Sequence, residues 1–510
     1  MMGRPGARSD ERVRETEAAG VLGRLFLRVP VLLFLLGLVA VGCTRVGAPL
    51  PPPPPADLPP AYSPGDRAPS PSPPEARPTR EEPTREEPSR EEPSLGREEP
   101  ARSAPPLEGS GRMEIRLPQG EVRALWVVRT ALLHPDSARV AVHRAHLAGF
   151  NTLLVQVRGR GDAYYQSRWE PRAETLSRQP LDYDPLAVVL EEAHGLGLQV
   201  HAWVNAHVVA SALIPPTDPG HLALSRPELL AVPRALAPRL HRMEPRDPAY
   251  LRTLLEWTRF QGTQVEGLYT NPSHPGVQDH MVAVVADLLG RYPVDGLHLD
   301  YIRYPSPEFD YSRSSLEGFE AWLRARGADS QRLRRGGEAL RSGDPLLLPD
   351  LFPREWGDYR RGRVTELMAR LRHEARIHRP EAVVSAAVFA NADDARNGRY
   401  QEWESWLRDG IVDVVAPMAY TASDATWSLQ IQRAAEAGDP RRVWAGVGVY
   451  QNSFEGAVSK GRRAGELGVG GVVLFSYDWA VGSEGLRAAR GSYLDRYARE
   501  VWGGAVLSGW

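Results

Sequence analysis

Eight apolar runs rich in β-branched residues recur between residues 123 and 476, each followed by a stretch of helical periodicity, and that count constrains the fold more than any single residue. The runs are Arg123 to Val128, Asn151 to Val157, Leu198 to Val204, Val294 to Asp300, Ala382 to Phe389, Ile411 to Pro417, Val443 to Val449 and Gly470 to Ser476. Between them, helical patterns cover Ser137 to Ala148, Pro185 to His194, Pro275 to Arg291, Trp356 to His378, Trp403 to Arg408, Ser428 to Ala437 and Phe454 to Leu467, and a last one, Gly485 to Val501, closes the chain. Runs apolar throughout are what strands buried on both faces require. Eight strand–helix units predict an α/β fold of the (β/α)₈ TIM-barrel kind rather than an open doubly wound sheet. No glycine-rich dinucleotide fingerprint follows the first run, which further disfavours a Rossmann arrangement.

The amino terminus reads differently. Arg24 and Arg28 precede an apolar run from Val31 to Val41 that ends at Gly42-Cys43. A charged segment and an apolar stretch of about a dozen residues suit a secretory signal, whereas a spanning helix needs about 20. Cys43 is the only cysteine, so no intramolecular disulfide can form. Its position resembles that of a bacterial lipobox cysteine, although Ala40 stands where Leu is usual; ordinary cleavage beside an incidental cysteine is the alternative. The expectation is a signal peptide over 1–43, diacylglyceryl attachment at Cys43, and a periplasmic protein tethered to the membrane. Residues 44–112 carry a proline run (Pro51 to Pro55) and repeats of the type Thr79-Arg80-Glu81-Glu82-Pro83, with almost nothing apolar. Such composition cannot offset chain entropy by burial, so a disordered, extended linker is expected. The folded domain then spans 113–510. A net charge of −2 with dispersed basic residues gives no reason to expect nucleic acid.

Two connections are long, 205–274 and 303–355, and both are rich in Pro and Arg. They fall on the side of a barrel where strands lead into helices, and long irregular loops there are expected to wall a cleft.

The densest cluster of chemistry is Val294 to Pro305, a short strand ending in a carboxylate and running into a cationic, aromatic loop. Strand alternation puts Gly296, His298 and Asp300 on one face. The mouth of a barrel would gather these with Arg158, Asp162, Tyr164 and Glu170 after the second run, and with His201, Trp203 and Asn205 from the third. Arg303 and Tyr304, Asn391, Asp393 and Asp394, Met418 and Tyr420, Tyr450-Gln451, and Tyr477 and Asp478 follow from later runs. Aromatic faces beside carboxylates and amides suit sugar rings. Arg158, Tyr164, His201, Trp203, Asn205, His298, Arg303, Tyr304, Tyr420 and Tyr477 are therefore the candidate substrate contacts. Glycoside cleavage needs two carboxyl groups. Asp300 is the first candidate for nucleophile or base, with Arg303 expected to keep it ionised; the alternative is a structural partner of Arg303 or Arg158. For the acid the order is Asp162, then Glu170, with Asp394 and Asp478 behind, and Asp162 could instead cap a turn. His201 and His298 could simply fill the barrel interior. No zinc-type carboxylate–histidine spacing accompanies them, so neither a metal nor another cofactor is expected.

These pieces also carry a family resemblance. Arg123-Ala124-Leu125-Trp126, Gln156-Val157-Arg158, Gly161-Asp162-Ala163, Tyr183-Asp184-Pro185, His201-Ala202-Trp203-Val204-Asn205, Asn271-Pro272, the Asp295-to-Pro305 run, Tyr359-Arg360-Arg361 and Phe475-Ser476-Tyr477 together span most of 121–480. In them the chain resembles the bacterial glycosyl-hydrolase-like family ten, which includes secreted lipoproteins acting on cell-wall glycan. The resemblance implies a TIM barrel and hydrolysis of glycosidic bonds, with peptidoglycan strands stripped of stem peptides as a candidate substrate. It departs after the fifth run, where Ala387-Val388-Phe389-Ala390 replaces a Ser-Pro type ending, and at Met418, where a polar amide would stand. Those departures motivate the alternative of a glycan-binding lipoprotein without catalysis; a barrel enzyme of other chemistry, such as a metal-dependent deacetylase, is a third.

Overall fold

A computed structural model describes residues 115–261, 265–482 and 492–503. The expected signal peptide, the lipidation site at Cys43, the 44–112 linker and part of the last expected helix lie outside the described residues. Eight parallel strands form one sheet: β1 (Val122–Val127), β2 (Thr152–Arg158), β3 (Gln199–Asn205), β4 (Gly296–Asp300), β5 (Val383–Val388), β6 (Val414–Pro417), β7 (Trp444–Gly448) and β8 (Gly471–Phe475). Each strand pairs with its neighbours in chain order, and β1 pairs with β8. A parallel bridge between Val415 and Val443 joins β6 to β7 and brings the ring to closure. The expected barrel and every expected strand are present.

Alternation along the strands builds two layers of core. Leu125, Val155, Val200, Leu297, Leu299, Val384, Val415, Val447 and Leu474 face outward onto the surrounding helices. Val122, Ala124, Trp126, Leu154, Trp203, Val414, Trp444 and Val473 face inward and fill the ring. Helix starts follow the sequence closely. Proline opens the helices Pro135–Leu147, Pro185–Gly195 and Pro275–Arg291, where its missing N–H costs nothing. The side chains of His134, Asp184 and His274 accept the orphan N–H groups behind those prolines. At the opposite end of the barrel, Asp295 accepts from Val200 N–H at 2.8 Å and pairs with His194 at 2.9 Å, a structural role that its place at the start of β4 predicts.

The two long connections are not irregular, contrary to expectation. The first carries the helix Pro248–Phe260, and the second carries Arg313–Ala325 and Ser330–Ser342. Their apolar faces meet in a second core of Tyr250, Leu254, Leu316, Phe319, Leu340, Trp356 and Tyr359. The periodicity is present in the sequence, with Leu316, Phe319 and Leu323 recurring at helical spacing on the buried face of Arg313–Ala325; the Pro- and Arg-rich composition of the connections points toward loop instead. A two-stranded antiparallel ribbon, Val208–Ala210 with Leu268–Tyr269, ties the first connection back to the barrel. Val208 and Tyr269 pack into the outer barrel core, while Val209, Ala210 and Leu268 pack into the second one.

Candidate active site

The inward side chains run out at the carboxyl ends of the strands, and above them lies a cavity of about 430 Å³. Its floor is aromatic. Trp126 from β1 meets Phe475 of β8 at 5.8 Å and Tyr420, just past β6, at 6.2 Å, both edge to face. Trp203 of β3 faces Phe475 at 6.5 Å. One layer deeper, the indole N–H of Trp126 donates to His298 Nε2 at 3.1 Å, and the other ring nitrogen of His298 meets Ser385 Oγ at 2.9 Å. Burial, with His201 adding to it, pushes the His298 pKa down to about 3, and burial takes His201 to about 4. Both rings are therefore neutral barrel filling, His201 packing on Trp444 at 5.5 Å.

Asp300 ends β4 at the floor's edge, 7% exposed. Its carboxyl accepts the Tyr301 N–H at 2.6 Å. Tyr301 adopts a left-handed backbone (φ 52°), a conformation that costs a non-glycine residue on the order of 1–3 kcal/mol and gathers at functional sites. Burial raises the Asp300 pKa to about 6 against the opposing pull of Arg303, and the charge of Glu266 adds to the rise. This differs from the expectation that Arg303 keeps Asp300 ionised. Arg303 instead binds Glu266, Nη2 to Oε1 at 2.8 Å, while the Tyr269 hydroxyl donates to Glu266 Oε2 at 2.7 Å. Burial would raise Glu266, but the charge of Arg303 and these two hydrogen bonds overcome it and hold the carboxylate below its ordinary range. The antiparallel ribbon delivers Glu266. Its neighbour Gly267 lies so close to Ala210 that a β-carbon would sit 2.1 Å from the carbonyl oxygen, so a side chain there would push the ribbon, and Glu266 with it, out of place.

The structure brings Trp203, Asn205, Asp300, Arg303 and Tyr420 together on this cavity. It places the remaining expected contacts elsewhere. A bulge in β2 skips one residue between Gln156 and Arg158, leaving Gln156 on the cavity and turning Arg158 away from it. Arg158 is fully buried, pairs with Glu170 (Nε to Oε2, 2.8 Å) and donates to the Ala206 carbonyl at 3.2 Å and to that of Asn205. Glu170 also meets His280 Nε2 at 3.1 Å. Burial raises Glu170, yet Arg158 and His280 win and drive its pKa to about 2, so it is a sealed anion and unsuited to donate a proton. Asp162 accepts the Arg160 N–H at 2.7 Å, the turn-capping role that was the alternative. Tyr164 bonds Thr175, and Tyr304 bonds Ser273; Tyr477 is buried in the first turn of the helix Tyr477–Gly482. None of these, nor His201 or His298, lines the cavity. Asn391 caps the helix Ala392–Gly398, and Asp393 pairs with Arg433 at the surface. Asp478 accepts from Thr130 at 2.8 Å. Among the described residues, no three His, Cys, Asp or Glu side chains gather into a metal-holding group.

Glu266, Arg129, Arg160 and Tyr301 line the cavity without having been singled out as site residues. The one available signal for Glu266 was the polar Glu-Gly pair set inside Val265 to Tyr269, just before Asn271-Pro272.

Comparison with known proteins agrees with this architecture. The family model described as glycosyl hydrolase-like 10 matches residues 121–452. Glycosyl hydrolase DigH of Escherichia coli (strain K12) is 26% identical over 325 residues, covering 59% of this chain and 63% of the relative. Glycosyl hydrolase YngK of Bacillus subtilis (strain 168) is 24% identical over 302 residues, covering 56% of this chain and 48% of its own. The matched part thus spans less than two-thirds of the length of these relatives. Among solved structures, the glycoside hydrolase domain of PgaB (BpsB) from Bordetella bronchiseptica superposes with a TM-score of 0.51 at 15% identity, covering 72% of this chain and 96% of that one. The GH42 β-galactosidase Gan42B of G. stearothermophilus, in a catalytic mutant form, also gives 0.51 at 12% identity, covering 76% and 57%. These two likenesses speak for the barrel alone, while the family model covers well over half of the sequence, including every strand up to β7. The chain belongs to the glycosyl hydrolase-like 10 family.

Proposed function

We propose that this protein is a glycoside hydrolase that cleaves an envelope polysaccharide, the glycan strands of peptidoglycan, while tethered to the membrane by lipid on Cys43. The observation that carries the catalytic part is the pair Asp300 and Glu266. The two carboxyl groups line one cavity, and their surroundings push their proton affinities in opposite directions. Such divergence assigns acid and base roles. Asp300, protonated up to about pH 6, gives its proton to the leaving glycosidic oxygen. Glu266, held ionised, acts on the anomeric carbon directly or through a water. This gives Asp300 the acid role rather than the nucleophile or base role that its strand position alone suggests. Trp126, Trp203, Tyr420 and Phe475 offer apolar faces for sugar rings, and Asn205 is placed to meet hydroxyl groups.

The test is release of new reducing ends from purified glycan strands by the wild-type protein, Asp300→Asn and Glu266→Gln. Loss of a general acid costs roughly 10²–10⁴-fold in rate. Equal release by all three removes the pair from the mechanism. The anomer first released, read by NMR, then tells direct attack from attack through water. Membrane release of Cys43→Ala tests the tether.

Met418 and Ala387 line the same cavity, and these non-polar residues favour a second reading, glycan binding without cleavage. Co-sedimentation with sacculi and no new reducing ends at any pH from 4 to 8 would select it.

A further inference from the structure

On one side of the cavity stand Arg129, at the turn after β1, and Arg160, just past β2. Among the described residues, neither guanidinium has a carboxylate within ion-pair distance. Arg129 donates from Nη1 to Gln156 Oε1 at 2.7 Å. Its side chain lies directly over Gly159, where a β-carbon would come within 2.7 Å of Cδ; glycine at that position is what lets the arginine reach the cavity. The Arg160 side chain has no hydrogen-bond partner among the described residues. Of the two acids nearby, Asp162 accepts the Arg160 backbone N–H, and Asp478 accepts from Thr130 through Oδ1 while its Oδ2 is buried without a hydrogen-bond partner; neither forms an ion pair with the two arginines among the described residues. Burial and the charge of Arg129 together press the pKa of Arg160 down, against the opposing charge of Asp162. Two like charges held together in a partly buried pocket raise the energy of the empty site, and an anion would relieve it.

The rest of the cavity does not neutralise them. Arg303 and Glu266 cancel each other, and Asp300 is uncharged below about pH 6. The lining therefore carries an excess of guanidinium charge in the same cavity as the proposed acid. Guanidinium forks match carboxylates and phosphates alike, and of the two the carboxylate is the group that a denuded peptidoglycan strand carries. We infer that Arg129 and Arg160 form a subsite for a carboxylate borne by the sugar, so that the substrate is an acidic glycan. The inference builds on the hydrolase reading for its location, since both arginines line the cavity that Asp300 lines, but it concerns binding and stands without turnover.

The experiment measures equilibrium binding to the full-length Asp300→Asn protein, with and without Arg160→Gln or Arg129→Gln. The probes are denuded peptidoglycan strands and polygalacturonate, each beside a counterpart whose carboxyl groups have been reduced to alcohols. The expected result is a preference of about tenfold for the acidic member of a pair, falling toward one in either arginine variant. If that preference appears with polygalacturonate while neither peptidoglycan form binds, the subsite stands and the peptidoglycan reading fails. Equal affinity within both pairs, or no binding to any of the four, overturns the subsite. Circular dichroism of each variant excludes misfolding as the cause of a lost preference.

Discussion

Arg303 Nη2 lies 2.8 Å from Glu266 Oε1, joining the loop after β4 to the ribbon that wraps over the barrel. Each partner arrives on a different long connection, so the pair fixes both walls as well as one charge. Removing Arg303 leaves a buried carboxylate unpaired, which costs roughly 3–5 kcal/mol. Arg303→Gln is expected to lose that stability in urea melts, and the double variant with Glu266→Gln to lose less than the sum of the two singles. Additive losses would show that the pair is not coupled.

Asp300 should impose the alkaline limb of activity. Its protonated form disappears as pH rises through about 6, so kcat/KM is expected to fall tenfold per unit above that point. A limb that persists unchanged in Asp300→Glu, or that lies near pH 4, would assign the acid to another group.

The same carboxyl costs stability. Its folded pKa of about 6 exceeds the ordinary value of 3.8, so the folded chain binds more protons than the unfolded one between those pH values. Stability then declines as pH rises from about 4 to 6. Asp300→Asn removes this cost and is expected to raise stability at pH 7 by on the order of 2–3 kcal/mol, measurable as an increased Tm. A lower Tm at pH 7 would contradict the burial argument.

Glu170 has the opposite sign. Its pKa of about 2 lies below the ordinary 4.5, so its contribution is complete above about pH 5 and is lost as pH falls toward 2. Glu170→Gln is expected to destabilise by about 3 kcal/mol, flatten the acid side of the stability profile, and leave the alkaline limb of activity near pH 6. A displaced limb would return Glu170 to the catalytic group.

His201 and His298 should not titrate in the physiological range. With pKa values near 4 and 3, their ring carbon–proton NMR shifts are expected to stay constant between pH 8 and 5.5. Movement through pH 6.5 would mean that water reaches the barrel interior.

The barrel was legible because its signal is repetition: eight apolar runs at workable spacing leave few alternatives. Trp203, Asn205 and Asp300 were legible for a related reason, since unbroken strand alternation fixes where each side chain points. Arg158 escaped the same rule because a bulge reverses its direction, and nothing in Gln156-Val157-Arg158 announces a bulge. Tyr304 and Tyr477 sit a few residues past their strands, where the chain turns and alternation no longer predicts direction. Glu266 was invisible for a different reason. It lies some 60 residues from β3 and 30 from β4 in sequence, and only a short ribbon held by the close approach of Gly267 to Ala210 brings it to the cavity that Asp300 lines.

The second apolar core has a consequence for how this chain can diverge. The helices over the barrel mouth keep an interior of their own, joined to the ring by the ribbon and by the helix Pro353–His378, whose first turns pack into the second core and whose later turns pack on the barrel. Mutations that reshape that canopy need not be compensated among the eight strands beneath. Selectivity and scaffold can thus drift at separate rates, with the ribbon and that shared helix as the places where the two histories meet.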